Sequence, residues 1–332
     1  MDAAKKIRRI ERALEALEPQ EADCALCPRA CHVDRHREKR GVCRSGDRAG
    51  VSQALLHFGE EPVLSGVSDC SAVRPGQNRP KQGSGTIFFT GCNLKCLFCQ
   101  NYQISWLGQG HELSDEELAG AMLSLEKQGA WNINLVSPTH VIVPVLRALK
   151  IACVAGLDIP IVWNSNGYEK AEIIERLRGV VDIYLPDLKY VSPAVSKRYS
   201  DAPDYFDHAG PALQEMYIQK PDLVLDDSGM AVQGLLVRHL ILPGHGDDSA
   251  AVLEWVARAL TPAVSMSLMS QYRPCFRAPD ELRRTLSVEE YRMVADRARE
   301  LGFENLFLQP GIPGTEDHLL PDFSRDDPFR WK

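Results

Sequence analysis

The stretch Gly91-Cys92-Asn93-Leu94-Lys95-Cys96-Leu97-Phe98-Cys99 follows directly on the apolar run Thr86-Ile87-Phe88-Phe89-Thr90. Aromatic and β-branched residues favour a strand and Gly91 punctuates it, so the segment reads as a loop leaving a strand. The spacing C-x3-C-x2-C puts three thiols within eight residues on one tight turn. Their sulfurs can converge on a single polynuclear metal centre. A cubane cluster has four irons and normally takes four thiolates, so three local cysteines leave one iron for a distant residue or for a substrate. Structural zinc wants four closed ligands, typically in C-x2-C pairs, and fits this spacing poorly.

Working outward from the loop, strand-like and helix-like stretches alternate from Gly85 onward. Strands are predicted over Thr86 to Thr90, Asn132 to Ser137, Ile161 to Asn164, Asp182 to Leu185, Leu235 to Leu242, Val264 to Met269 and Asn305 to Leu308. Helices fit between them; Leu113 to Gly129 opens with the capping box Ser114-x-x-Glu117, and Leu286 to Gly302 opens with Ser287-x-x-Glu290. Alternating β and α elements with apolar, β-branched strands imply an α/β fold with a parallel sheet wrapped by helices. About six such units make an open or partial barrel, whose ligands lie at the C-terminal ends of the strands. The polar residues that end each strand should therefore converge on one mouth.

Upstream, Ile7, Ile10, Leu14 and Leu17 recur at helical spacing, as in an amphipathic helix laid on the body of the protein. Cys24, Cys27, Cys31 and Cys43 follow in a segment with few large apolar residues, where a metal can replace the missing core of a small module. Four cysteines close a zinc site or complete a cubane, and the spacing leaves both open. His32, beside Cys31, reads as a surface residue. Glu60 and Glu61 precede Pro62 and read as a solvated turn, with substrate contact as the alternative. Ser65 to Gly85 is linker-like, and its Cys70 reads as an ordinary thiol. The implied domains are 1–60, an N-terminal helix and four-cysteine metal module; 61–84, a linker; 85–310, the barrel; and 311–332, a C-terminal tail.

Composition narrows the class. A chain of 332 residues, 44% hydrophobic and 25% charged, supports one large domain plus a small one and gives no sign of disorder. No apolar stretch approaches the roughly 20 residues that cross a bilayer, and the N-terminus lacks the apolar core of a signal peptide. Ten cysteines without an export signal argue for a reducing, cytoplasmic setting and metal ligation rather than disulfides. A net charge of -7 argues against a large nucleic-acid footprint.

GTIFFTGCNLKCLFCQNYQIS (85–105), NLVSPTH (134–140), WNSNGY (163–168), DIYLPDLKY (182–190) and RHLILPGH (238–245), with the four-cysteine module, resemble the radical S-adenosylmethionine (SAM) superfamily, in the group related to pyruvate formate-lyase activating enzyme. The resemblance covers most of the chain. It implies a partial (β/α)6 TIM-like barrel carrying a small cysteine-rich module, a [4Fe-4S] cluster on Cys92, Cys96 and Cys99, and SAM bound to the open iron. It implies that Phe98 sets its ring and backbone near the adenine, and that Ser137, Pro138 and Thr139 stand where relatives use a Gly-Gly-Glu-Pro-like turn for the methionine ammonium. Asn164 and Asn166 suit ribose hydroxyls and the methionine carboxylate, and Asp187 and Lys189 suit a hydroxyl and a carboxylate. Strand alternation lets only one of Arg238 and His239 point inward, and Arg238 is taken as the inward one. His245, Tyr272, Arg273 and Cys275 fall where substrate should lie, with ordinary packing the simpler account of Cys275; Cys153 reads as core.

The chemistry implied is reductive cleavage of SAM to a 5′-deoxyadenosyl radical that abstracts hydrogen from a protein glycine or a small molecule. The implied partners are an electron donor such as flavodoxin or ferredoxin and a protein substrate. Activating enzymes usually carry Trp where this chain has Phe98, and some insert ferredoxin-like repeats that this chain lacks. Two other readings are a non-catalytic metal-binding or regulatory protein and an RNA-modifying radical enzyme, the latter disfavoured by the acidic balance.

Overall fold

The computed structural model describes residues 3–37, 40–67, 82–309 and 319–329. Cys70, most of the linker-like stretch and part of the tail fall outside the described residues. In chain order the elements are α1 (Ala3–Leu17), β1 (Ala49–His57), α2 (Pro62–Ser65), β2 (Ser84–Phe89), α3 (Tyr102–Ser105), β3 (His111–Leu113), α4 (Asp115–Lys127), β4 (Ile133–Val136) and α5 (Ile142–Val154). There follow β5 (Ile161–Ser165), α6 (Ala171–Arg176), β6 (Ile183–Pro186), α7 (Pro193–Ser200), α8 (Tyr205–Gln219), β7 (Val224–Leu225), β8 (Ala231–Leu240), α9 (Gly246–Ala259), β9 (Ser265–Met269), α10 (Val288–Glu300) and β10 (Leu306–Leu308).

One sheet runs β10-β9-β8-β6-β5-β4-β2-β1-β3, with β7 on β8. The six strands β2, β4, β5, β6, β8 and β9 pair in parallel in chain order, and β10 extends them in parallel. This is the partial (β/α)6 barrel that the alternating pattern implies. Both capping boxes are formed: Ser114 N–H donates to Glu117 at 2.8 Å and Ser287 N–H to Glu290 at 2.9 Å, which fixes the starts of α4 and α10. Ile10, Ala13, Leu14 and Leu17 bury the apolar stripe of α1, and Lys6 reaches Asp182 at 2.5 Å. Among the described residues no helix is long and apolar enough to cross a membrane.

Side chains alternate between two cores. Trp163 and Tyr184 face the helices, whereas Val162, Ile183, Leu185 and Leu236 meet Leu64 of α2 on the concave side. Asn132 donates to the Leu64 carbonyl at 2.9 Å, so the segment around α2 plugs the barrel. Phe323 and Phe329 return from the C-terminal part of the chain to pack on Phe88, centroids 5.4 and 5.3 Å apart.

The domain boundary at residue 60 does not separate a module from the barrel. β1 lies inside 1–60 and pairs antiparallel with β2, Leu55 opposite Thr86. One of its faces is partly open to solvent and a bulge interrupts it near Val51, so it lacks the continuous apolar run that marked the central strands. β8 begins at Ala231, earlier than its apolar signature, because Val232 and Gln233 are exposed.

Candidate active site

β2 delivers the cysteine loop, and three neighbours hold it. Gly91 turns at φ +79°, and a Cβ there would lie 2.4 Å from the Cys43 carbonyl oxygen, so only glycine fits. The carbonyls at the end of α7 lack helical partners; those of Ser200 and Tyr199 accept Lys95 N–H at 3.2 Å and Leu97 N–H at 2.8 Å. Arg29 Nε donates to the Asn93 carbonyl at 2.8 Å.

Each thiol has its own polar neighbour. Asn166 Nδ2 donates to Cys92 Sγ at 3.3 Å, Ser200 Oγ lies 3.0 Å from Cys96 Sγ and Ser105 Oγ lies 3.2 Å from Cys99 Sγ. Burial pushes Cys99 up to about 12, with Cys96 and Cys92 adding to the rise, and burial likewise raises Cys92 and Cys96. Thiolates in this setting need a cation, and ligation to iron supplies one. Lys95 Nζ is buried without a hydrogen-bond partner, 5.2 Å over the Trp106 ring. Burial lowers its affinity for a proton against the pull of Cys92 and Cys43. Among the described residues no group of three or more His, Cys, Asp or Glu is gathered as a single-ion site. Three soft donors on one loop beside a buried lysine suit an anionic iron-sulfur centre.

The rim is built from the ends of β5 and β6. Tyr205 OH lies 3.0 Å from the Asn166 carbonyl and 2.9 Å from that of Asp187, tying the two strand ends together. Lys189 pairs with Asp187 at 2.5 Å. Burial would depress this lysine; the Asp187 carboxylate with Cys96 and Cys99 outweighs burial and holds it at about 12. Asp187 and Lys189 thus stand beside the thiols, as does Asn166, whose amide also reaches Asn93 at 2.8 Å.

Other candidates are engaged elsewhere. The Phe98 ring is buried edge-on to Tyr272, centroids 5.6 Å apart, and its carbonyl accepts from Cys275 Sγ at 3.4 Å. Ser137 adopts φ +54° and its N–H donates to the Asn164 carbonyl at 2.7 Å. Pro138 is buried, and Thr139 Oγ1 donates to Glu169 at 2.6 Å. Tyr272 donates to the Leu282 carbonyl at 2.8 Å, Arg273 is buried, and His245 lies 2.9 Å from Tyr199 OH. Cys153 is core and His32 meets Asp23 at the surface.

Arg238 points into the barrel and His239 to the helix side, where it lies 2.9 Å from Ser249 Oγ. Arg238 Nε donates to Glu61 at 2.9 Å and Arg238 Nη2 contacts both Glu60 and Glu61. The solvated-turn reading of these acids is therefore corrected: their side chains are 7% and 8% exposed, because the buried guanidinium draws them inward. Asn134 Nδ2 donates to Glu60 at 2.9 Å and His57 sits 3.4 Å away. Sequence reading also passed over Glu169, buried under Thr139 and the Trp163 indole N–H at 2.9 Å. No spacing signal marks it.

Cys24, Cys27, Cys31 and Cys43 line one pocket with Arg35 and Asn93. Arg35 Nε donates to Cys24 Sγ at 3.1 Å and Val42 N–H to Cys31 Sγ at 3.4 Å. Burial pushes Cys27 up to about 12, with the other three thiols adding to it.

The family model described as the radical SAM superfamily matches residues 86–214, which include the three cysteines of the loop, Asn166, Asp187 and Lys189. "Uncharacterized protein MJ0674" of Methanocaldococcus jannaschii is 30% identical over 297 residues, covering 86% of this chain and 77% of that protein. Among solved structures, SuiB of Streptococcus suis aligns with TM-score 0.46 at 11% identity over 68% of this chain and 47% of its own. HydG, a maturase of the [FeFe]-hydrogenase, aligns with TM-score 0.45 at 13% identity over 66% and 48%. The chain spans about half the length of these solved chains. With three thiols on one loop at the mouth of a parallel sheet, and a relative that matches along most of its length, the chain belongs to the radical SAM superfamily.

Proposed function

We propose that this chain cleaves SAM reductively at a [4Fe-4S] cluster held by Cys92, Cys96 and Cys99 and abstracts hydrogen from a C–H bond of its substrate, a protein glycine in the first instance. The observation that carries this reading is the three-thiol loop, which leaves one corner of a cubane without a protein side chain. With the cluster bound, one electron delivered to the SAM sulfonium breaks its S–C5′ bond, yielding methionine and a 5′-deoxyadenosyl radical that takes the hydrogen.

The chain's own residues bind, orient and shield. Asn166 places a polar hydrogen at Cys92, and the Ser200 and Ser105 hydroxyls are placed to donate to Cys96 and Cys99 once these are thiolates, which favours the thiolate and tunes its donor strength. Lys189, kept charged by Asp187, offers a fixed cation beside Cys96 and Cys99, within the setting a carboxylate-bearing ligand needs. The protein-glycine substrate rests on the resemblance to activating enzymes, and a flavodoxin or ferredoxin is the donor it implies. The free thiols of all nine described cysteines accord with a reducing cytoplasm.

Anaerobic reconstitution with iron, sulfide, dithionite and SAM should yield 5′-deoxyadenosine plus methionine, and Cys96→Ala should yield neither. A reconstituted wild type that carries its cluster yet leaves SAM intact would refute the reading. Deuterium transfer from labelled glycine in a candidate protein into 5′-deoxyadenosine tests the substrate; transfer only from small molecules would overturn that part.

A further inference from the structure

Four thiols remain outside the loop of the first centre, and their pocket does not stand apart from it. The wall opposite Cys24, Cys27, Cys31 and Cys43 is completed by Asn93, the neighbour of Cys92 and the hydrogen-bond partner of Asn166, itself the donor to Cys92. A second contact is backbone on backbone, where Gly91 leaves only enough room for the Cys43 carbonyl. Asn93 thus lines the pocket of one set of thiols and adjoins the other set in the chain. Arg35, buried, gives an N–H to Cys24 Sγ and lies 3.8 Å from Cys43 Sγ, and it is tied to the barrel through the His140 carbonyl at 2.6 Å.

We propose that these four cysteines hold a second iron-sulfur cluster, beside the first centre across Asn93, and that it passes the first centre its electron. Three of the ligands fall within eight residues and the fourth is distant. That three-plus-one arrangement mirrors Cys92 to Cys99 with the spacing reversed. A cluster with four thiolates is coordinatively closed, so it has no corner for SAM and is suited to electron transfer. In the transfer the second cluster is oxidised by one electron and the first is reduced by one. The electron enters from a low-potential one-electron carrier of the flavodoxin or ferredoxin class. Arg35 supplies a permanent positive charge and an N–H at sulfur, two of the factors that set a cluster's potential. The inference rests on Cys92, Cys96 and Cys99 holding the first cluster.

The test is a metal and sulfide count on the anaerobically reconstituted full chain. Two cubanes predict about eight irons and eight sulfides, falling to about four of each in Cys92→Ala/Cys96→Ala/Cys99→Ala, which should stay brown, and to about four in Cys24→Ser/Cys27→Ser/Cys31→Ser/Cys43→Ser. Zinc without sulfide in the first variant overturns the second cluster; loss of all iron from a folded second variant overturns the first centre instead. Should removal of four thiols unfold the chain, Arg35→Gln keeps them all. In the Cys92→Ala/Cys96→Ala/Cys99→Ala background it should move the remaining potential to more negative values, and an unmoved potential counts against ligation beside Arg35. Proximity of the centres predicts mutual broadening of their electron paramagnetic resonance signals in the reduced wild type. A wild-type spectrum equal to the sum of the two variants overturns the relay.

Discussion

Replacing Arg238 by Met keeps the length and most of the volume of the side chain and removes its charge. It leaves Glu60 and Glu61 side by side in the barrel without the guanidinium, with His57 beside Glu60 as the remaining basic neighbour. The side chains of the trio are 12%, 7% and 8% exposed, so this is a buried network and not a surface pair worth about 0–1 kcal/mol. Removing one partner of a buried ion pair costs about 3–5 kcal/mol, a large share of a total stability of about 5–15 kcal/mol. With a urea m-value of about 3 kcal/mol/M, the midpoint should fall by about 1–1.7 M. The pH dependence has a definite sign. In the wild type, burial opposes ionisation of Glu60 but Arg238 and His57 hold its carboxyl far below the ordinary 4.5. Its contribution is present above that ordinary value and is lost only in strong acid. In the variant a buried carboxylate pair without its guanidinium is driven upward, so it takes a proton, and the variant regains stability as pH falls from 8 to 5 while the wild type does not. Urea unfolding followed by circular dichroism under reducing conditions at pH 8 and pH 5 measures both terms. A loss under about 1 kcal/mol at pH 8, the ceiling for exposed pairs, or an equal loss at the two pH values would refute the buried network.

Asn166→Ala removes the donor to Cys92 Sγ and the clasp on Asn93; losing a hydrogen bond to a ligand atom weakens metal binding about 10–100-fold, so chelator should strip the first cluster correspondingly faster, and an unchanged rate would count against the contact. Gly91→Ala adds about 1–2 kcal/mol of left-handed backbone strain to a collision with the Cys43 carbonyl at 2.4 Å; iron content and melting temperature should both drop, and a variant that loads normally would mean the loop and Cys43 are not in contact. Burial raises the Glu169 carboxyl above 4.5 despite Thr139 and Trp163, so its stabilising share is present at low pH and declines as pH rises. Glu169→Gln should therefore match the wild type near pH 5 and exceed it in melting temperature at pH 8; the reverse order would show that the carboxylate is favourably paired.

The seven parallel strands were legible because strands covered on both faces read as apolar runs, and the starts of α4 and α10 because a capping box is local in sequence. The cysteine loop was legible for the same reason: its ligands are eight residues apart or fewer. β1 was hidden by its half-open face. What the sequence could not display were partners joined only by the fold. Ser200 reaches Cys96 across 104 positions and Asn166 reaches Cys92 across 74, and serines and asparagines ending helices and strands carry no mark of what they touch.

Glu60 and Glu61 are the instructive pair, since the residues needed to place them were in view. Strand alternation turns one of Arg238 and His239 inward, and an inward guanidinium cannot stay without a carboxylate in a closed interior. The acids on the mouth-facing strand ends did not suffice, because Asp187 is matched by Lys189 two residues on. The adjacent pair in front of Pro62 was a further source of negative charge near the barrel strands. Two adjacent acids suggested a solvated turn, but charge balance inside the barrel outweighs that local preference by several kcal/mol. Carried to its consequence, the inward assignment of Arg238 demands acids in the barrel, and α2 is the element that brings them.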